Sequence, residues 1–113
     1  MKRKTRKKGK ARKGNIRILS LWGNLTVSTV ETLKKKVREA AKENDDEIVL
    51  NFESVDHVDS SGLGAVISCY VTLHRMKKKL SLVNLDDKIE TIFFYTRLSK
   101  VIDIYDSLEE LAV

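Results

Sequence analysis

Between residues 56 and 64 the chain reads DHVDSSGLG, which places Asp56, His57, Asp59, Ser60 and Ser61 within six positions, followed by Gly62 and Gly64. Acid, histidine and serine are the parts of a nucleophilic hydrolase, but the nucleophile elbow needs a glycine two residues before the serine and another two after it. Val58 and Asp59 hold the earlier positions for Ser60 and Ser61. A phosphate-cradling P-loop needs a lysine and a hydroxyl directly after its last glycine, and GLGAVIS supplies neither. Metal ligation by Asp56, His57 and Asp59 would crowd three donors into four positions, with no other ligand cluster in the chain. Two readings survive. In one, Ser60 is the N-cap of a following helix, with Gly62 and Gly64 letting other backbone approach closely. In the other, Ser60 is modified. A phosphoryl group at a helix N-terminus meets free N–H groups and the positive end of the dipole. It also adds about −1.5 to −2 charge beside Asp56 and Asp59, so a partner fitted to the uncharged loop is repelled.

Either reading requires a strand before the stretch and a helix after it. Apolar runs predict strands at 16–22 (IRILSLW), 47–52 (EIVLNF), 80–85 (LSLVNL) and 101–105 (VIDIY). Between the first two, Val30, Leu33, Val37, Ala40 and Ala41 share a helical face, with Ser28 and Glu31 spaced as a capping box. Leu63, Val66, Ile67, Tyr70, Val71 and His74 recur at helical spacing directly after DSSG, a second helix with His74 on its core-facing stripe. Asp87 and Glu90 repeat the capping-box spacing ahead of Ile89, Ile92 and Phe93, a third helix ending near Leu98, and SLEELAV adds a short fourth. Strands alternating with helices imply parallel crossovers. The expected fold is α/β, a single domain with a mostly parallel sheet of about four strands and helices packed on it. In such sheets functional groups gather at the carboxyl ends of the strands, where residues 56–64 fall.

Charge divides the chain unevenly. Residues 1–14 hold nine Lys or Arg and no acid, while the rest carries thirteen bases against sixteen acids, so the overall +6 belongs to a basic arm ahead of a domain at 15–113 with net charge −3. The arm is expected to be disordered or to pair at a sheet edge. Through residues 2–13 it offers weak, salt-sensitive contact with nucleic acid or an anionic membrane surface. It lacks the apolar stretch of a secretory signal, and no run approaches a bilayer span, so a cytoplasmic location is expected. Cys69 alone rules out an internal disulfide and reads as a small apolar filler. Trp22 reads as core or edge packing, and the lysine runs 34–36 and 77–79 as solvated helix faces or ends. Asp86 and Asp87 follow the third strand, whereas a phosphoaspartate receiver needs acids after its first, which argues against that enzyme-like reading.

The segment IVLNFESVDHVDSSGLGAV resembles the core motif of STAS domains, specifically that of the bacterial anti-sigma factor antagonists. LWGNLTVSTVETLKKKV is similar to the family's first strand, glycine turn and first helix, and LVNLDDKIETIFFYTRLSKVIDIYDSLEELA to its last strand-helix-strand-helix. The resemblance implies a switch protein with no catalytic activity and no cofactor or metal. Ser60 matches the serine phosphorylated by an ATP-dependent anti-sigma factor serine kinase, which is also the binding partner, and a phosphatase acting on phospho-Ser60 reverses the step. Asp59 matches the neighbouring aspartate. Ser61, Gly62, Leu63 and Gly64 match the docking helix start, with Asn24 and Thr26 in the turn after strand one. Many relatives carry an aspartate where this chain has Thr26, and an extra N-terminal strand where this chain has its basic arm. A STAS scaffold subunit in a signalling or transport assembly is therefore the alternative.

Overall fold

The computed structural model describes residues 14–111. The expectations for the basic arm at residues 1–13 lie outside the described residues. Four strands and three helices alternate: β1 (Ile16–Leu25), α1 (Val30–Ala40), β2 (Glu47–Val58), α2 (Ser60–Arg75), β3 (Lys79–Val83), α3 (Asp87–Tyr95) and β4 (Asp103–Tyr105), with single 3-10 turns at Leu98–Lys100 and Leu108–Leu111. The sheet runs β1-β2-β3-β4 with every pairing parallel. This is the α/β layout expected from the sequence. β2 has neighbours on both sides, and its first six residues are all buried, as a central parallel strand requires.

Alternation along β2 divides the core. Ile48, Leu50 and Phe52 join the main cluster with Leu33 and Val37 of α1, Val66 and Leu73 of α2 and Phe93 of α3. Val49 instead packs with Val83, Tyr105 and Leu111. Two polar side chains are buried beside it: the Ser81 hydroxyl donates to the Glu47 carboxylate, which satisfies both.

Several local expectations are corrected. β1 and β2 continue to residues 25 and 58, well past 22 and 52, because their pairing absorbs irregularities between Ser20 and Trp22 and between Gly23 and Asn24. Gly23 has φ +77°, a conformation a β-bulge takes most cheaply with glycine. β3 stops at Val83, where Asn84 turns to φ +63°. Helix α1 starts from Thr29 and forms no Ser28–Glu31 capping box; Glu31 pairs with Lys34 at 3.3 Å instead. Helix α3 is capped by Asp86, which accepts from the Ile89 N–H at 2.8 Å, and it ends at Tyr95 because Arg97 adopts φ +68°. The fourth helix is only the 3-10 turn at Leu108–Leu111.

Helix α2 buries Gly62, Ala65, Val66, Cys69 and Leu73, whereas Ile67, Val71 and His74 face outward. Apolar residues surround this helix, and the face with the smaller side chains permits the closer approach to its neighbours. His74 therefore leaves the core stripe and stacks on Tyr70, with ring centroids 5.6 Å apart. Cys69 is the expected filler, and burial pushes its thiol pKa up to about 11. Trp22 is not core: it is 67% exposed on the edge strand, with the Lys36 ammonium 4.5 Å above its ring. Among the described residues no helix is long and apolar enough to cross a membrane.

Candidate functional site

The long β1–β2 pairing sets Asn24 opposite His57 and Leu25 opposite Val58 at the carboxyl end of the sheet. From there the chain enters α2 in a single step. The Asp59 N–H donates to the Leu25 carbonyl at 3.2 Å, and the Asp59 carboxylate, on an extended backbone, accepts from the Gly62 N–H at 3.0 Å. Asp59 is thus the N-cap, and the expectation that Ser60 caps α2 is corrected: Ser60 is the first helical residue, and Asp59 has already taken the donor a cap would use. Ser60 is exposed.

The two glycines have different roles. A Cβ on Gly62 would lie 2.3 Å from the Leu25 carbonyl oxygen and 2.8 Å from the Leu25 Cβ, so only glycine lets the first turn of α2 rest on the end of β1. A Cβ on Gly64 would meet nothing within 4 Å. Gly64 is exposed, so its bare backbone serves no packing need among the described residues and leaves that face of the helix flat.

Across from the helix start, Thr29 organises the turn after β1. Its hydroxyl donates to the Asn24 carbonyl at 2.6 Å and accepts from the Thr26 N–H at 3.0 Å, while the Thr29 and Val30 N–H groups return to the Thr26 carbonyl. Asn24 is exposed, Thr26 is half-buried, and Val27 at the tip is 73% exposed. Residues 24–30 contain no carboxylate. Through Leu25, which holds Asp59 and Gly62, the turn with Asn24 and Thr26 and the helix start with Ser60, Ser61, Leu63 and Gly64 are brought to the same end of the sheet. Leu25 and Thr29 position these residues, yet sequence reasoning assigned neither a role. Thr29 had a readable signal as a hydroxyl at a helix boundary, while the Leu25 contact spans more than thirty residues and has none.

Asp56 and His57 are exposed residues of β2 rather than of a loop. Among the described residues no three His, Cys, Asp or Glu side chains are grouped so as to hold a metal ion. The first N–H groups of a helix lack intrahelical partners. With the Gly62 N–H committed to Asp59 and the first turn of α2 free of acids, an anionic group on Ser60 would meet the N–H groups of Ser60 and Ser61 at the positive end of the helix.

Comparison with known proteins identifies the family of this fold. The STAS domain family model matches residues 8–111, so the chain belongs to the STAS domain family. Its match begins inside the segment expected to be the basic arm. The chain is 28% identical over 91 residues to the anti-sigma-B factor antagonist of Staphylococcus aureus, covering 80% of this chain and 84% of the relative. It superposes on the phosphorylated form of the Bacillus cell fate determinant SpoIIAA with a TM-score of 0.66 at 24% identity, covering 89% and 91% of the two chains. It also superposes on a sulfate transporter family protein from Wolinella succinogenes with a TM-score of 0.75 at 14% identity, covering 85% and 80%. At these identities the two superpositions establish the fold alone.

Proposed function

Taking membership of the STAS family as the premise, we propose that this chain is an anti-sigma factor antagonist whose binding surface is gated by phosphorylation of Ser60. The exposed position of Ser60, one residue past a cap that Asp59 provides alone, is the observation that carries this reading. Unphosphorylated, the flat surface around Gly64, with Ser61 and Leu63 beside it and Asn24 and Thr26 across the turn, captures an anti-sigma factor serine kinase and so frees a sigma factor in the cytoplasm. ATP belongs to the partner, and the antagonist contributes binding without catalysis. A phosphoryl group on Ser60 adds two negative charges at most beside the Asp59 carboxylate, which its hydrogen bond to the Gly62 N–H holds in place. The partner then has to desolvate and accept clustered negative charge, and capture fails. A phosphatase acting on phospho-Ser60 restores it. That a protein of the same fold, the Bacillus cell fate determinant SpoIIAA, is known in a phosphorylated form supports phosphorylation as the modification.

One observation favours a second reading. The turn at 24–30 carries Thr26 and no acid, so a kinase that needs a carboxylate across from Ser60 finds none, and the domain then serves as a constitutive scaffold subunit. Capture from the native lysate with the wild-type chain beside Ser60→Asp separates the two. A kinase of the anti-sigma type retained by wild type alone, and labelling Ser60 when ATP is added, is the expected outcome. Retention of the same partners by both forms refutes the gate and favours the scaffold.

A further inference from the structure

Helices α1 and α2 enclose a cleft of about 210 Å³ lined by Lys34, Val37, Arg38, Ser68, Cys69 and Thr72. Val37 and Cys69 are buried and form an apolar floor. The walls are polar and face one another: Lys34 and Arg38 lie one turn apart on α1, and Ser68 and Thr72 one turn apart on α2. No carboxylate lines the cleft.

Its donors are largely uncommitted. Arg38 forms no ion pair among the described residues, and Lys34 shares its charge only with Glu31 at the rim, at 3.3 Å. Threonines elsewhere in the fold turn their hydroxyls back onto the helix: Thr91 and Thr96 donate to the carbonyls of Asp87 and Ile92 at 2.7 and 2.8 Å. Among the described residues Ser68 and Thr72 make no such bond, so both hydroxyls are available to the cleft. The positive charges of Lys34 and Arg38 act on its floor, opposing the burial that raises the Cys69 thiol pKa. Two like charges one turn apart mildly destabilise a helix, and an anion between them would offset that repulsion.

We propose that this cleft binds a small tetrahedral oxyanion, either free phosphate or the phosphoryl end of a small phosphate monoester. Donors converging from two opposed walls match a tetrahedral anion better than a planar carboxylate, and a volume below the roughly 300 Å³ at which drug-sized pockets begin leaves no room for a nucleotide. The site is separate from the switch. Ser68 lies eight residues beyond Ser60, about 12 Å along the helix, so this inference stands or falls independently of phosphorylation at Ser60.

The test is an amide chemical-shift titration of the full chain with sodium phosphate against sodium chloride at matched ionic strength. Saturable shifts centred on residues 34, 38, 68 and 72 are expected with phosphate only. Arg38→Gln should weaken binding about tenfold or more, the loss of a charge-assisted hydrogen bond, while Lys77→Gln, which removes a cation that does not line the cleft, should leave it unchanged. Ser68→Ala combined with Thr72→Val keeps the charge and should still weaken binding, which a purely electrostatic attraction would not show. Glycerol 3-phosphate binding as well as phosphate supports a monoester ligand, and its failure beside phosphate binding supports the free ion. Linear shifts equal to those in chloride, or equal losses from Arg38→Gln and Lys77→Gln, would overturn the proposal.

Discussion

Substituting alanine for each of the two glycines at the start of α2 should move stability in opposite directions. In Gly62→Ala the new methyl lies 2.3 Å from the Leu25 carbonyl oxygen, where ordinary contact begins at 3.4 Å, so the first turn of α2 and the end of β1 must part by about 1 Å. That carbonyl also accepts the Asp59 N–H at 3.2 Å, so parting stretches the bond that ties helix to strand. Overpacking costs about 1–3 kcal/mol and the weakened hydrogen bond about 0.5–1.5 kcal/mol. A helix-propensity gain of up to about 1 kcal/mol opposes them, and the net loss is about 1–3 kcal/mol. Gly64→Ala meets nothing within 4 Å, so only the propensity term operates, a gain of about 0.5–1 kcal/mol. Urea unfolding followed by circular dichroism is suitable for a chain of this size. With slopes of about 1–3 kcal/mol per molar, the midpoint should fall by about 1 M for Gly62→Ala and rise by a few tenths for Gly64→Ala. The proposed docking role adds a second readout: Gly64→Ala, although more stable, should lose kinase capture because its methyl stands on the flat surface. Equal shifts of both variants in one direction, or wild-type stability for Gly62→Ala, would refute the close-approach argument.

Three further outcomes follow from the same geometry. Asp59→Ala should cost about 0.5–2 kcal/mol as the loss of a helix cap, and Ser60→Ala less than about 0.5 kcal/mol; thermal melts of the two variants would reverse in order if Ser60 were the cap. Thr29→Val removes a hydroxyl that both donates to Asn24 and accepts from Thr26, and should cost about 1–2 kcal/mol by denaturant titration while loosening the turn at 24–29 in hydrogen exchange. The Cys69 thiol has its pKa raised from 9.0 to about 11 in the fold. Below pH 9 the thiol is neutral folded or unfolded, so its full contribution is present; between pH 9 and 11 only the unfolded state ionises, and stability should fall by up to about 1.4 kcal/mol per pH unit. Cys69→Ala should flatten that part of the curve relative to wild type, and parallel curves would contradict the assignment.

Regular elements were legible because their signal is local. The buried run of β2 and the helical spacing of α1 and α2 are properties of short windows, and alternation of strand with helix was enough to imply the parallel sheet. Element ends were less legible because long-range pairing sets them. β1 and β2 run on to residues 25 and 58 only because each supplies the other's hydrogen bonds through two bulges, and no window of one strand contains that information. The core face of α2 was misjudged for a related reason: several faces of it are apolar, and only the neighbouring elements select the one carrying Gly62, Ala65 and Cys69.

The misplaced cap of α2 is a difference of one residue with a consequence for function. Aspartate and serine are both good N-caps, so DSSG at a strand-to-helix junction does not decide between them by type or spacing. The Leu25 carbonyl favours Asp59, because it anchors the Asp59 N–H, and the helix starts one residue earlier than it would from a Ser60 cap. Had Ser60 been the cap, its hydroxyl would be engaged with a backbone N–H of the first turn, and a phosphoryl group there would disrupt a bond worth about 1 kcal/mol to the helix. With Asp59 as cap, the fold-stabilising oxygen and the exposed hydroxyl belong to different side chains. The proposed modification of Ser60 would then change the charge of the surface without competing for the bond from the Gly62 N–H to Asp59 or for the packing of Gly62 on Leu25. A switch that alters recognition without unfolding its own helix requires that separation, and in this chain one residue provides it.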